Sequence, residues 1–395
     1  MTDLFDKHRP IAERFERMME LGVNAVGITN DQLISPTRAM IQGRETILAG
    51  TNNYMGITFE KAAIEAGKKA LVEFGTGTTG SRIANGSYAM HKELERELAA
   101  FLNRKHCIVF TTGYQANLGM ISGLAGPRDT VYLDADSHSS IYDGCTLSGA
   151  KLVRFRHNDA ADLDKRLSRS EGEEGGKLVV LEGIYSMLGD RAPLKDFVEL
   201  KKKHKFQLLV DEAHSFGVLG PHGRGLADEA GLEAEADFVV GTFSKSIGSI
   251  GGFGAGDHPM FETLRYAMRP YMFTASSSPA TIATSIAAVK TLAREPERRD
   301  ALRRNSERLF NGFRNLGFEM GCEDVSPVIA VKCKDEPSTI MMWNALLKAG
   351  VYVNIALPPG TPNRLCLLRC SVSAAHTDAE IDQVIATFAK VVAGR

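Results

Sequence analysis

The sequence predicts an α/β protein with a large domain built on a mainly parallel sheet and a smaller C-terminal α/β domain. From about residue 60 onward, short apolar runs alternate with amphipathic stretches, a pattern typical of parallel strands covered by helices on both faces. At 395 residues, the chain also exceeds what one hydrophobic core usually organises. We expect an N-terminal helix and strand segment at 1–50, the large domain at 51–280 and the small domain at 281–395.

The elements of the large domain follow from this alternation. Buried strands are predicted at 107–110, 130–133, 151–155, 178–181, 208–210 and 238–240. Helices are predicted at 91–102, 159–167 and 194–205. In such sheets, ligands bind beyond the carboxyl ends of the strands, so the residues that follow each apolar run are the candidates for a site.

The small domain begins with a long helical pattern over 281–316. Strands are predicted near 328–331, 352–355 and 365–370, followed by a terminal helix from about residue 378. Cys366 and Cys370 point the same way on the last of these strands, and we interpret both as core residues. The six cysteines contain no C-x-x-C pair, which favours reduced thiols in a cytoplasmic protein.

Composition excludes several classes of function. A formal net charge of −1 offers no basic excess for nucleic acid, and no metal site is expected. No apolar run of about 18 residues is present, so no transmembrane helix is expected. The N-terminus carries early acids and no apolar core, unlike a signal peptide. Residues 11–21 form an apolar helix face that favours packing against the body or a partner subunit, with peripheral membrane contact as the alternative.

Lys245 and Asp211 carry the strongest chemical signal. Lys245 lies among small hydroxyl residues just after the apolar run at 238–240, and Asp211 directly follows the run at 208–210. A lysine can form a Schiff base with the aldehyde of pyridoxal 5′-phosphate (PLP), and a carboxylate can keep the pyridine nitrogen protonated. Each residue alone fits a solvated lysine or a helix-capping aspartate. Together, in this order, they predict a PLP site.

Two histidines are placed where they could contact this cofactor. His138 follows the strand at 130–133, so its flat imidazole could cover one face of the pyridine ring. His214 comes three residues after Asp211 and could bond the phenolic oxygen. A capping or loop-ordering histidine is the simpler alternative for each residue taken alone.

The phosphate needs fixed donors, and two stretches offer them. The turn at 112–114 leads from a strand into a helix, whose first N–H groups can point at an anion. The expected donors are Thr112, Gly113, Tyr114, Thr242 and Ser244. The glycine-rich stretch at 74–82 follows no clear strand, and we interpret it as a loop at the substrate entrance.

Arg369 is an arginine inside an otherwise apolar strand of the small domain. A buried guanidinium without an anion is costly, so this position predicts a negatively charged partner. The planar fork of arginine suits the carboxylate of an amino-acid substrate. A structural Asp or Glu is the alternative partner.

At these residues the sequence resembles the α-oxoamine synthases, a branch of the fold-type-I PLP-dependent transferases, which have the aspartate aminotransferase-like fold. The motifs that carry the resemblance are Gly80-Ser-Arg82, Thr112-Gly-Tyr114, Asp211-Glu-Ala-His214, Gly241-Thr-Phe-Ser-Lys245 and Leu368-Arg-Cys-Ser371. The resemblance implies that Lys245 is the Schiff-base lysine, Asp211 the partner of the pyridinium and His138 the stacking ring. It further assigns the ring oxygen to His214, the substrate carboxylate to Arg369, and a place by the cofactor to Thr242 and Ser244.

Other stretches are similar to a bacterial branch of this family that joins L-serine to a long-chain acyl thioester. They are Arg154-Phe-Arg-His-Asn158, Tyr185-Ser-Met-Leu-Gly-Asp190, Arg269-Pro-Tyr-Met-Phe-Thr-Ala-Ser276 and Pro358-Pro-Gly-Thr-Pro362. The acyl donor would be an acyl-CoA or an acyl carrier protein thioester. Leu357 departs from the pattern, because members of this branch often carry arginine immediately before the Pro-Pro-x-Thr-Pro loop.

The resemblance also implies a homodimer with shared active sites. Thr274 would reach the phosphate bound to the other subunit, while Asn53 and Tyr54 would line the other subunit's site. Ser81, in the Gly80-Ser-Arg82 motif, is expected to contact substrate. Three alternatives remain at the level of sequence: a synthase that uses glycine or alanine with another acyl group, an aminotransferase, and a regulatory subunit without cofactor.

Overall fold

The computed structural model describes residues 3–22 and 27–393. The helices are α1 (Arg9–Glu20), α2 (Lys61–Phe74), α3 (Ala89–Phe101), α4 (Gly113–Leu124), α5 (Ser139–Ser148), α6 (Ala160–Arg169), α7 (Leu194–His204), α8 (Leu226–Glu229), α9 (Arg269–Met272), α10 (Pro279–Arg294), α11 (Glu297–Asn315), α12 (Glu336–Lys348) and α13 (Asp378–Ala393). The strands are β1 (Gln32–Ser35), β2 (Arg38–Ile41), β3 (Arg44–Leu48), β4 (His106–Phe110), β5 (Thr130–Asp134), β6 (Lys151–Phe155), β7 (Lys177–Glu182), β8 (Gln207–Asp211), β9 (Phe238–Thr242), β10 (Gly252–Gly256), β11 (Val328–Cys333), β12 (Val351–Tyr352), β13 (Asn354–Ala356) and β14 (Cys366–Ser371).

The chain divides into two compact units. The larger unit comprises 53–186 and 190–301, and the smaller comprises 1–52, 187–189 and 302–395. The boundaries predicted from the sequence are 50/51 and 280/281. The second boundary differs because α10 packs on α2 and α3 of the larger unit.

A seven-stranded sheet forms the centre of the larger unit, in the order β4-β10-β9-β8-β7-β5-β6. The pairs β5/β6, β5/β7, β7/β8 and β8/β9 are parallel, whereas β10 runs antiparallel to both β4 and β9. The strands β5, β9 and β10 are buried at every residue, which explains their continuous apolar sequences. The predicted mainly parallel α/β sheet is confirmed.

The core of this unit lies between the sheet and its covering helices. Helix α4 packs against α5 and against strands β9 and β10. The packed side chains include Met120, Ile121, Leu133, Ile141 and Phe238. This core fixes the strand ends, and therefore the residues that follow them.

The long helix expected over 281–316 is two helices, α10 and α11. The break falls at Glu295 and Pro296. Proline has no N–H to donate within a helix and its ring disfavours a helical residue before it, so the first helix ends there.

The smaller unit contains two sheets. The first has the order β1-β2-β3-β12, and the second is the antiparallel sheet β11-β14-β13. Helix α12 packs on β14 and α13, and Trp343 on α12 donates its indole N–H to the Val353 carbonyl at 2.7 Å. Cys366 and Cys370 on β14 are buried, as predicted for core residues.

Helix α1 carries the apolar residues noted near the N-terminus. Met18 is buried, whereas Ile11 is 67% exposed and Phe15 43% exposed. Among residues 3–22 and 27–393, the longest apolar stretches of helix are too short or too polar to cross a membrane.

Candidate active site

A cavity of about 320 Å³ opens at the carboxyl ends of the parallel strands in the larger unit. The strand ends of β7, β8 and β9 and the turn after β4 all contribute to it, as expected for a sheet of this kind. Its lining residues are Thr112, Gly113, Tyr114, Asn117, His138, Ser140, Glu182, Asp211, Ala213, His214, Val240, Gly241, Thr242, Ser244, Lys245, Ile250 and Gly251. The fold therefore brings most of the predicted cofactor residues to one cavity.

Asp211 is the last residue of β8 and is 4% exposed. Its Oδ1 accepts a hydrogen bond from the Ala213 backbone N–H at 2.9 Å. Its Oδ2 accepts one from Asn117 Nδ2 at 2.7 Å. These two bonds fix the carboxylate at the strand end, where the sequence analysis placed it.

His138 caps the N-terminus of α5. Its Nδ1 accepts the Ser140 backbone N–H at 3.2 Å and lies 2.8 Å from Ser140 Oγ. An accepting Nδ1 assigns the proton of a neutral ring to Nε2. Burial lowers the pKa of His138, and the cation of Lys245 lowers it further, against the opposing charge of Asp211. A neutral, flat ring is therefore available to cover a cofactor.

The turn that enters α4 is built for close approach of an anion. Thr112 Oγ1 accepts the Gln115 N–H at 3.1 Å and so caps the helix. A Cβ on Gly113 would lie 2.6 Å from Thr242 Cβ, so only glycine fits between the two segments. Thr242 Oγ1 lies 2.9 Å from Ser244 Oγ, which places two hydroxyl groups beside this helix terminus.

Four further residues that were predicted for the site also lie in the larger unit: Asn53, Tyr54, Ser81 and Thr274. Tyr54 Oη is 2.7 Å from His214 Nδ1 in a fully buried contact within one chain, and the expected role of Tyr54 in another subunit's site stays a prediction. Asn53 Nδ2 donates to Thr58 Oγ1 at 2.8 Å. Thr274 Oγ1 accepts from Gln115 Nε2 at 3.4 Å. Ser81 belongs to an irregular turn, where its carbonyl accepts the N–H groups of 84 and 86.

Arg369 lies on β14 of the smaller unit and is 6% exposed. Its Nη1 donates to Ser371 Oγ at 3.0 Å and to Asn52 Oδ1 at 3.3 Å. These contacts orient the guanidinium on the strand. Arg369 therefore stays a prediction for the substrate carboxylate.

Three polar lining residues were not among the site residues predicted from the sequence: Asn117, Ser140 and Glu182. Asn117 Nδ2 donates to Ser140 Oγ at 2.9 Å as well as to Asp211, so one amide links the two neighbouring groups. The available signals were weak, because Asn117 and Ser140 are common helix residues. Glu182 had a clearer sequence signal, because it comes at the end of an apolar run just as Asp211 does.

The residues present fit PLP. The cavity combines a lysine, a buried carboxylate at a strand end, a neutral imidazole and a capped helix terminus, which match the chemical groups of this cofactor. Asn117 Oδ1 is buried without a hydrogen-bond partner among the described residues, which leaves an acceptor for a bound group.

His157 connects the end of β5 with the loop that follows β7. Its Nδ1 lies 2.8 Å from Asp134 Oδ1 and its Nε2 lies 2.7 Å from Asp190 Oδ2. Burial alone would lower the pKa of His157, but the bonds to Asp134 and Asp190 outweigh burial and raise it to about 10. The imidazolium is thus charged near neutral pH, and it clamps the segment that leads from β5 to His138.

We expect His157→Gln to lower the free energy of unfolding by about 3–5 kcal/mol near pH 6.5, because it leaves two carboxylates without their cation. The pKa of His157 is higher in the folded state than in the unfolded state. Its contribution is therefore complete below pH about 6.5 and is lost as the pH rises toward about 10. Urea unfolding at pH 6.5 and 9.5 measures this, with the exposed His258→Gln as control. A His157 deficit equally large at both pH values would contradict the expectation.

Comparisons with known proteins agree with this geometry. A family model described as aminotransferase class I and II matches residues 44–388. A serine palmitoyltransferase of Caulobacter vibrioides is 54% identical over 98% of this chain and 96% of its own length. A solved structure of a Sphingomonas paucimobilis serine palmitoyltransferase variant with bound PLP–myriocin superposes with a TM-score of 0.98 at 49% identity, covering 100% of this chain and 99% of that chain. The Sphingomonas wittichii serine palmitoyltransferase gives 0.97 at 52% identity, with the same coverage.

Proposed function

This chain belongs to the aminotransferase class I and II family and to its α-oxoamine synthase branch, and we propose that it condenses L-serine with a long-chain acyl thioester such as palmitoyl-CoA. It is a PLP-dependent acyltransferase. The products would be 3-ketodihydrosphingosine, carbon dioxide and the free thiol, which makes this the first step of sphingolipid synthesis. The observation that carries the proposal is the meeting of Lys245, Asp211, His138 and His214 in one cavity.

When bound, PLP supplies an aldehyde that couples to amines and a ring that stores the electron pair released at the substrate α-carbon. Lys245 Nζ, which lines the cavity, would take the α-proton of serine. Asp211 would hold a proton on the pyridine nitrogen through its fixed carboxylate. The neutral His138 ring would cover the ring face, and His214, oriented by Tyr54, would bond the phenolic oxygen. The phosphate would be held by Thr112, Gly113, Tyr114, Thr242 and Ser244.

Arg369 would bind the serine carboxylate. Arg369→Lys keeps the charge but loses the planar fork, so we expect the KM for serine to rise about tenfold or more. The KM for the acyl thioester should change much less. Steady-state kinetics with each substrate varied in turn measures this, and Arg308→Lys, in an exposed ion pair with Asp382, is the control. An unchanged KM for serine would remove Arg369 from the substrate site.

The proposal as a whole is tested by incubating the holoenzyme with serine and a series of acyl thioesters, as CoA and as carrier-protein conjugates, while thiol release and product mass are followed. Serine with a long-chain donor should give the fastest thiol release, and the product mass should show loss of carbon dioxide. Faster reaction with glycine or alanine would point to another synthase of the family. Leu357, which stands where an arginine is expected, is the reason for testing this amino-acid preference. Amino transfer to a 2-oxo acid without thiol release would overturn the proposal.

We also propose a homodimer in the cytoplasm, with active sites shared between subunits. Thr274 would contribute to the phosphate site of the other subunit, and Asn53 to its substrate side, whereas Tyr54, which is fully buried, would act through His214 of its own chain. Mixed dimers of a Lys245→Ala chain and a Thr274→Ala chain test the sharing, because one of their two sites would then be intact.

Binding to vesicles with and without anionic lipid tests for peripheral membrane contact through the apolar face of α1.

A further inference from the structure

Glu182 is a buried carboxyl group in the active-site cavity. It ends strand β7, is 3% exposed and lines the cavity beside Asp211 and Lys245. In the parallel pairing of β7 with β8, Glu182 is the direct partner of Asp211. Two carboxyl groups, 3% and 4% exposed, therefore lie at the same level of the sheet edge.

Glu182 also holds the segment that carries the stacking histidine. Its Oε1 accepts the backbone N–H of His138 at 2.5 Å. The His138 ring is in turn bonded to Ser140, and Ser140 to Asn117, whose amide reaches Asp211. Glu182 is thus bonded to the same segment that is linked, through Ser140 and Asn117, to Asp211.

The two carboxyl groups have different electrostatic surroundings. Burial raises the pKa of Glu182 well above its usual range, and the charges of Asp211 and Asp134 raise it further. The His138 N–H and the cation of Lys245 act in the opposite direction without outweighing them. Asp211, by contrast, accepts two hydrogen bonds, from the Ala213 backbone and from Asn117. Active sites often contain two neighbouring carboxyl groups, one of which is kept neutral.

We propose that Glu182 is a positioning residue that acts as a neutral acid: its acceptor oxygen fixes the His138 backbone against the cofactor, while Asp211 alone carries the negative charge of the pair. The proposal depends on the proposed function only in taking PLP as the cofactor. It predicts that the acceptor oxygen of Glu182 matters and that its charge does not.

Two substitutions separate these properties. Glu182→Gln keeps the acceptor and is neutral, so we expect PLP affinity, kcat and the pH titration of the cofactor absorbance to stay within about threefold of the wild type. Glu182→Ala leaves the His138 N–H buried without a partner, and we expect PLP to dissociate about tenfold more readily, with kcat lowered about tenfold and the KM for serine little changed.

The measurements are PLP binding by absorbance, the kcat and KM split for serine, and ¹⁵N NMR of histidine in the apoprotein to follow the protonation state of His138. PLP binding and histidine NMR do not depend on which amino acid is the substrate. Both results therefore stay interpretable if serine is not the substrate. Loss of PLP affinity in Glu182→Gln equal to that in Glu182→Ala would overturn the proposal, because the charge would then be needed. Wild-type PLP binding in Glu182→Ala would overturn it as well. If the alanine variant does not fold, Glu182→Gln alone decides the question of charge.

Discussion

Replacing Lys245 with alanine is expected to lower the rate of thiol release by about 10³-fold or more, because one side chain serves both as the covalent anchor of the cofactor and as the base. Borohydride, which fixes PLP to the wild type by reducing its link to the lysine, should fix none to Lys245→Ala. The variant should still bind PLP, since the remaining lining residues are unchanged.

Two further variants make the Lys245 result specific. Lys245→Arg retains a cation but cannot couple to an aldehyde, so it should be as inactive as the alanine variant. Lys203→Ala removes an exposed lysine paired with Asp164 and should retain wild-type rates. Residual activity above about one tenth of the wild type in Lys245→Ala would contradict the assignment of the base, because a positioned base contributes about 10²–10⁴-fold.

Asp211→Asn is expected to lower kcat by about 10²–10³-fold, the usual cost of removing one preorganised electrostatic partner. The amide has nearly the shape of the carboxylate but no charge, so the pyridine nitrogen would lose its proton at lower pH. The absorbance of bound cofactor, titrated from pH 5 to 9, should show this shift directly. PLP should remain bound, because the hydrogen bond from Asn117 can still be accepted.

Asp257→Asn is the matched control for this change. Asp257 also accepts two hydrogen bonds, from Arg104 and from the Lys105 backbone, yet it does not line the cavity. The control should unfold somewhat more readily while its cofactor titration stays as in the wild type. A wild-type titration in Asp211→Asn would contradict the pairing of Asp211 with the ring nitrogen.

Much of the large unit could be predicted from sequence because its strands are buried on both faces. Continuous apolar runs at β5, β7, β8 and β9 identify the strands, and a polar residue that ends such a run marks the sheet edge where ligands bind. That reasoning placed Asp211 and Lys245 correctly at one cavity. The same reasoning could have found Glu182.

The break between α10 and α11 and the boundary between the units show what helical periodicity alone does not predict. Helical periodicity continues past 294, and only the effect of Pro296 on the backbone separates α10 from α11. The assignment of α10 to the larger unit follows from its packing on α2 and α3, which no local signal encodes.

The sequence by itself determined the chemistry of this protein: a histidine, an aspartate and a lysine at or after the carboxyl ends of three buried strands predict PLP, and the motifs around them predict the family. Only the tertiary structure decided how these groups are held. Asn117 and Ser140 are ordinary residues in sequence, and they become part of the site because separate segments bring their polar atoms within hydrogen-bonding distance. The raised pKa of Glu182 depends on burial and on neighbouring charges, and those are properties of the folded chain.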